Sequence, residues 1–180
     1  MTAGGLEQRE GAPGDRPRVV LVGPMGAGKT TVGRLLADAW GVDARDTDAD
    51  IVAAQGRSVA DIFVDSGEAE FRRLEAAAVV DALTGFDGVL ALGGGAVLDP
   101  ATRERLRGQT VVFLRVGLSD AVKRVGLGSS RPLLLGNVRG RIKTLLDERT
   151  AIYESVASLV VDTDGRTPED VAGEILEALG

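Results

Sequence analysis

The segment Gly23-Pro-Met-Gly-Ala-Gly-Lys-Thr30 constrains this chain more than any other stretch. It reads G-x-x-x-x-G-K-T and follows the apolar run Val19-Val20-Leu21-Val22. It leads into a helical pattern, with Val32, Leu35, Leu36, Ala39 and Trp40 on one side and Gly41 as a stop. Strand, glycine loop and helix in that order are the context a phosphate-binding loop requires. The glycines let the backbone curl with its N–H groups turned inward, and the helix N-terminus adds partial positive charge. Lys29 can then reach the β- and γ-phosphates, and the Thr30 hydroxyl can ligate Mg2+. A glycine-rich turn that binds nothing would leave the flanking strand and helix unexplained. The pattern predicts a nucleoside triphosphate, or a close relative, as ligand.

Composition narrows the class of protein around that loop. At 180 residues, 44% hydrophobic and 27% charged, the chain suits one globular domain with a sizeable core. No run approaches the roughly 20 apolar residues of a membrane span. Residues 1–17 are polar and rich in Gly, Pro and charge, with no apolar core of a signal peptide, and read as a disordered tail ahead of a single domain over 18–180. There is no Cys, so there is no disulfide framework and no thiolate chemistry, which fits the cytoplasm. There is no His, which excludes histidine-based metal and Ser-His designs and leaves acid–base work to Asp, Glu, Lys or Arg.

A net charge of −6 argues against a nucleic-acid partner. Within it, residues 115–149 hold eight basic side chains against three acidic ones. That local excess suits a small, highly charged anion, with a solvated helix face as the alternative.

The rest of the chain alternates strand-like and helix-like segments. Ala44–Asp46 reads as a short strand, followed by helical stretches over Ile51–Gln55 and Glu68–Leu83 bounded by Gly56, Gly67 and Gly85. Residues 88–92 read as a buried strand running into Gly93-Gly94-Gly95, and Asp99-Pro100 opens a helix to about Arg107. Residues 110–114 form another strand, and Ser119 caps a helix to about Val125. A loop then leads through Arg131-Pro-Leu-Leu-Leu135 to a long helix over 138–153. Residues 158–161 are the last strand, and Thr167-Pro168 caps a final helix with Val171, Ile175 and Leu179 on one face. Five continuously apolar strands separated by helices predict a parallel sheet covered on both faces. The excursions from this plan lie at 49–84 and 125–138.

Asp46 and Asp48 stand at the C-terminal edge of a predicted strand, the edge where open α/β sheets bind ligands. In an extended segment they share a face, so one can orient Mg2+ through water while the other accepts a proton from an attacking hydroxyl. A turn or cap role competes evenly with that reading. Asp162, after the final strand, imitates the second metal anchor of many NTPases but lies in the wrong place for it. Arg72 and Glu75 are neighbours on one helix, where the carboxylate can fix the guanidinium for a planar anion or form an ordinary ion pair. Gly93, Gly94 and Gly95 offer backbone N–H groups for close approach by a ligand, or a plain tight turn.

Taken together and in order, these motifs resemble the shikimate kinase family. The resemblance runs from Val19 to Ala178 and includes the phosphate loop, D-T-D at 46–48, F-R-x-x-E at 71–75, G-G-G at 93–95, R-P-L-L at 131–134 and E-R-x-x-x-Y at 148–153. It implies a fold like that of the nucleoside-monophosphate kinases, with a five-stranded parallel sheet in the order 2-3-1-4-5. It implies ATP-dependent phosphorylation of the 3-hydroxyl of shikimate, on the route to chorismate and the aromatic amino acids, with ATP and shikimate as partners; a monomer is the expectation for the chain. Gly26, Ala27, Gly28, Lys29, Thr30 and Thr31 would hold ATP, with Arg124 and Pro168 flanking the adenine. Thr30 and Asp46 would hold Mg2+. Asp48 would bind a ring hydroxyl and help activate the nucleophile. Arg72 and Arg149 would grip the carboxylate, with Glu75 and Gly93 to Gly95 completing the substrate pocket. Residues 49–84 would be the substrate-binding subdomain and 125–138 the lid, which carries Arg131 to the transferring phosphoryl group. Two rivals remain from the residues: another small-metabolite kinase of this fold, such as a gluconate kinase, and a non-catalytic nucleotide-binding switch.

Overall fold

The computed structural model describes residues 16–126 and 137–180. The proposed lid arginine, Arg131, lies outside the described residues, as do most of the 125–138 excursion and nearly all of the N-terminal tail. The elements alternate: β1 (Val19–Val22), α1 (Lys29–Trp40), β2 (Ala44–Asp46), α2 (Thr47–Gln55), α3 (Val59–Leu83), β3 (Val89–Ala91), a short 3-10 turn (Ala96–Leu98) and α4 (Pro100–Arg105). They continue with β4 (Val111–Arg115), α5 (Leu118–Gly126), α6 (Val138–Val156), β5 (Leu159–Asp162) and α7 (Pro168–Leu179).

The five strands form one sheet in the order β2-β3-β1-β4-β5, all neighbours parallel, as expected. Every residue of β1 is buried, and its alternate side chains feed two cores. Val19 and Leu21 pack with Val32 and Leu36 of α1 and Val171 and Ile175 of α7. Val20 and Val22 pack on the other face with Val79 of α3, Leu106, and Tyr153 of α6. A strand buried on both faces must be apolar throughout, which is why β1 shows no alternation.

Glycine ends α1 as the sequence predicts: Gly41 takes the left-handed conformation, with φ 66°. The Thr167 hydroxyl and the Asp170 carboxylate close a capping box on α7. Asp99 accepts from the Ala101 amide and caps α4, with Pro100 in the first turn.

Four local expectations need correction. The helix predicted at Ile51 begins at Thr47, because the Asp46 carboxylate caps it by accepting from the amides of Asp48 and Ala49. The helix predicted over 68–83 extends back to Val59, where Ser58 caps it, and it bends at Gly67 (φ 86°, ψ 166°). Ser119 is not a cap but lies inside α5, which starts at Leu118. On α1 the buried alanine is Ala37, while Ala39 is exposed.

The excursion formed by α2 and α3 has its own small core of Ile51, Ile62 and Phe71. Each such side chain contributes about 2 kcal/mol on burial. That suffices to hold the two helices together and is small beside the cores on the sheet. No helix among the described residues is long and apolar enough to cross a membrane.

Candidate active site

The strand order brings together what the sequence separates. β2, β3 and β1 are adjacent, so their C-terminal ends deliver Asp46-Thr47-Asp48, Gly93-Gly94-Gly95 and the phosphate loop side by side at one edge of the sheet. This is the edge, and the kind of position, where parallel α/β sheets bind their ligands.

In the phosphate loop, Gly26 and Gly28 adopt positive φ of 80° and 91°. A side chain at Gly28 would meet nothing within 4 Å, so its glycine answers to backbone conformation and not to crowding. Lys29 Nζ donates to the carbonyls of Gly23 at 2.6 Å and Pro24 at 3.0 Å, folding over its own loop. The Thr30 hydroxyl donates to Asp46 Oδ2 at 3.0 Å, while Oδ1 of the same carboxylate caps α2. Asp46 therefore is a cap and a phosphate-loop partner at once. The shared-face reading of Asp46 and Asp48 is not what is found, since Asp48 sits in the first turn of α2 and not on a strand. Helical geometry turns it toward the glycine triplet instead. A Cβ at Gly93 would lie only 2.6 Å from Asp48 Oδ1 and 2.8 Å from Glu75 Oε2.

Arg72 and Glu75 pair at 2.8 Å on α3, but this is no ordinary surface pair, because the Glu75 side chain is only 4% exposed. Burial holds the Glu75 carboxyl above its usual range; Arg72 opposes the shift, Asp48 adds to it, and Arg149 opposes it. Arg72, paired with this carboxylate, and Asp48, which meets Gly93 beside it, both lie next to Glu75. The Arg72 guanidinium lies so close to Gly95 that any side chain there would collide with it. Gly93 and Gly95 are thus required by crowding from the side chains of Asp48, Glu75 and Arg72, whereas a Cβ at Gly94 would meet only ordinary contacts. Arg149, on α6, has a buried Nε with no hydrogen-bond partner among the described residues. A buried guanidinium N–H of this kind is a donor still open to an acceptor.

Arg124 lies on the other side of the phosphate loop. It donates to the Gly26 carbonyl at 3.0 Å and to the hydroxyl and carbonyl of Thr163 at 3.1 and 2.8 Å. It thereby ties α5 and the phosphate loop to the chain that leads from β5 to Pro168. Asp162 pairs with Arg115 across β4 and β5, away from the loop, as its position in the sequence suggested.

Two residues of this cluster carry no role in the sequence reading. Thr47 is fully buried, and its hydroxyl accepts from the Gly93 amide at 3.0 Å. Tyr153 is 1% exposed and donates to the Gly94 carbonyl at 2.5 Å. Each is present in a quoted motif, but only burial reveals that it holds the glycine turn. A cleft of about 330 Å³ opens beside Arg72, Glu75 and Gly95. A larger one of about 650 Å³ lies near Gln109 and Ser158, which precede β4 and β5 at the opposite edge, and shares no residue with the cluster.

A five-stranded parallel sheet of this order, a phosphate loop, and a carboxylate–arginine cluster beside it define a small-molecule kinase of the nucleoside-monophosphate-kinase-like class. The family model for shikimate kinase matches residues 25–180. A shikimate kinase of Streptomyces coelicolor is 57% identical over 163 residues, covering 91% of this chain and 95% of that protein. Among solved structures, a shikimate kinase from Acinetobacter baumannii in complex with shikimate superposes with a TM-score of 0.85 at 34% identity, covering 93% and 94% of the two chains. One from Bacteroides thetaiotaomicron gives a TM-score of 0.82 at 29% identity, covering 89% and 97%. The chain belongs to the shikimate kinase family.

Proposed function

We propose that this protein transfers the γ-phosphoryl group of ATP to the 3-hydroxyl of shikimate, giving shikimate 3-phosphate and ADP on the route to chorismate and the aromatic amino acids. The observation that supports the reading is that Asp48 and the Arg72–Glu75 pair meet the glycine turn at the sheet edge that also carries the phosphate loop, where Arg72 and Arg149 would grip a carboxylate. Shikimate is a small anion with three hydroxyls, and it needs those two kinds of contact at once.

Phosphoryl transfer depends on positioning and charge neutralisation more than on covalent chemistry, so it runs without His or Cys. The amides of Gly26, Ala27, Gly28, Lys29, Thr30 and Thr31 cradle the ATP phosphates, and Lys29 leaves the Gly23 and Pro24 carbonyls to neutralise the β/γ oxygens. Asp48 accepts a hydrogen bond from the attacking hydroxyl and takes its proton as the O–P bond forms. Arg72, held by Glu75, and Arg149 fix the carboxylate and so the ring. Arg124 and Pro168 flank the adenine. The excursion 49–84 acts as the substrate-binding subdomain, and 125–138 acts as a lid that brings Arg131 to the transferring group and excludes water.

Magnesium fits the residues present. Thr30 Oγ1 and Asp46 Oδ2 are hard oxygen donors 3.0 Å apart at the mouth of the loop. Among the described residues no group of three or more acidic side chains could hold a metal. Mg2+ is commonly held by one or two protein oxygens, with phosphate and water completing six. When bound, it would neutralise charge on the β and γ oxygens.

In this reading the protein acts as a monomer on small-molecule substrates. The cysteine-free sequence fits the cytoplasm. The deciding experiment presents ATP and Mg2+ with shikimate and, separately, with gluconate while ADP release is followed. ADP formed with shikimate and not with gluconate is the expected result. ADP formed with gluconate, or with neither, overturns the reading.

A further inference from the structure

Thr163 follows β5, is only 2% exposed, and has no place in the proposed transfer. Its polar groups bond in two directions. Toward β4, its amide and its hydroxyl both donate to the Arg115 carbonyl, at 2.9 and 3.0 Å. Toward α5, its hydroxyl accepts from Arg124 Nη1 at 3.1 Å, and its carbonyl accepts from Arg124 Nη2 at 2.8 Å. A hydroxyl has one proton, and here it goes to Arg115. What faces Arg124 is a lone pair, the match for a guanidinium that can only donate.

Arg124 Nη1 also donates to the Gly26 carbonyl at 3.0 Å, so the guanidinium spans the phosphate loop and the segment from β5 to Pro168. All three bonds use the N–H edge of a planar group and leave its faces for stacking on a flat ring. The side chain keeps 30% of its surface exposed for such a contact. Two further bonds hold the same segment against α5: Asp164 Oδ1 accepts from the Gly117 amide and Asp120 Oδ2 from the Gly165 amide, each at 2.9 Å. Those bonds fix backbone, whereas the Thr163 hydroxyl acts on the arginine itself. An arginine has many rotamers, and restraining it before the ligand arrives removes part of the ordering cost of binding.

We propose that Thr163 is a positioning residue, whose buried hydroxyl holds the Arg124 guanidinium in place for the adenine and so sets the affinity for ATP. The inference rests on Arg124 flanking the adenine. Thr163→Val keeps the branched shape and leaves each neighbour a partner: the Arg115 carbonyl keeps the Thr163 amide, and Arg124 keeps the carbonyls of Gly26 and Thr163. It should raise KM for ATP about 10-fold, the low end for a hydrogen bond to a charged group, while KM for shikimate and kcat stay within about 3-fold. Thr163→Ser restores the hydroxyl and should return KM for ATP to within about 2-fold of the wild type. A general packing role would move KM for shikimate as well, or leave the serine variant as impaired as the valine one; either result overturns the proposal.

The double variant with Arg124→Ala supplies the second test. If the hydroxyl acts through Arg124, Thr163→Val should add nothing to KM for ATP once the guanidinium is gone. Additive effects, or a single Thr163→Val variant with unchanged KM for ATP, overturn the proposal. An Arg124→Ala variant with unchanged KM for ATP overturns the adenine contact itself, and so separates failure of that reading from failure of this one. Should Thr163→Val fold poorly, Thr163→Ala carries the same comparison. If neither folds, Thr163 is a structural residue and the proposal falls.

Discussion

The Thr47 hydroxyl accepts the Gly93 amide proton at 3.0 Å, joining the Asp46-Thr47-Asp48 turn to the glycine triplet across the gap between β2 and β3. Both partners are buried, so neither can turn to water if the bond is lost. The two carboxylates on either side of Thr47 owe their spacing from the glycine turn to this bond.

Thr47→Val keeps the shape and removes the acceptor. A buried N–H left unsatisfied costs about 1–3 kcal/mol, and for a domain of this size each kcal/mol lowers Tm by about 2–4 °C. Thermal unfolding should therefore show a loss of roughly 2–12 °C, with most of it recovered in Thr47→Ser. An unchanged Tm in the valine variant would mean the amide has another partner.

Glu75 gives a pH-dependent prediction. Its carboxyl is held above the ordinary value near 4.5, chiefly by burial. The folded protein binds that proton more tightly than the unfolded chain. The resulting stabilisation is complete below the unfolded value and is lost as pH rises through the folded one. Glu75→Gln removes the titration, so the stability of the wild type relative to this variant should fall as pH rises from about 4 to neutrality. The variant should bind shikimate more weakly throughout, because Arg72 loses its anchor. Parallel stability curves for the two proteins across that range would exclude a raised value.

Arg72→Ala should weaken shikimate by about 2–5 kcal/mol while ATP affinity barely moves, since it strands a carboxylate in a desolvated site and stands clear of the phosphate loop. Calorimetric titration of each ligand measures both. Equal losses for the two would make Arg72 a structural ion pair. Asp48→Asn should lower kcat more than binding, as expected of the group that takes the hydroxyl proton.

Lys29→Ala removes a cation aimed at developing charge and should reduce kcat about 100-fold or more with the fold intact. Circular dichroism beside a coupled ADP assay checks both halves. A folded variant retaining a tenth of wild-type turnover would remove Lys29 from the mechanism.

Arg131→Ala should lower kcat by about 1,000-fold or more while ATP still binds in the ground state, as for arginines delivered to a transferring phosphoryl group. Amide exchange across 126–135 should slow when ADP and shikimate are both present. Exchange that does not respond to them would mean the segment is no lid.

The fold was legible because its signals are local. The apolar run of β1, the glycine loop and the caps at Gly41, Asp99 and Thr167 each follow from a few neighbouring residues, and the resemblance supplied the strand order. The first half of α3 was missed because its periodicity is interrupted by Gly67, where the chain bends and then resumes the helix. For Asp46 a cap role and a ligand-facing role stand level in the sequence, because the strand reading of 46–48 hides the start of α2 that the carboxylate caps.

The residues proposed for the site could be named from the sequence; their relations could not. Asp48, Glu75, Gly93 and Arg149 are far apart along the chain, and only the adjacency of β2, β3 and β1, with α3 and α6 laid over them, makes them neighbours. Burial is likewise a property of the packed molecule. It turns the Arg72–Glu75 pair from a solvent-screened helix contact into a desolvated one, and it makes the hydroxyls of Thr47 and Tyr153 obligatory partners of a glycine turn. Short-range patterns determine which elements form, because capping and periodicity act over a few residues. Which side chain is held by which is decided by tertiary structure, because solvent exclusion sets the cost of an unpaired polar group.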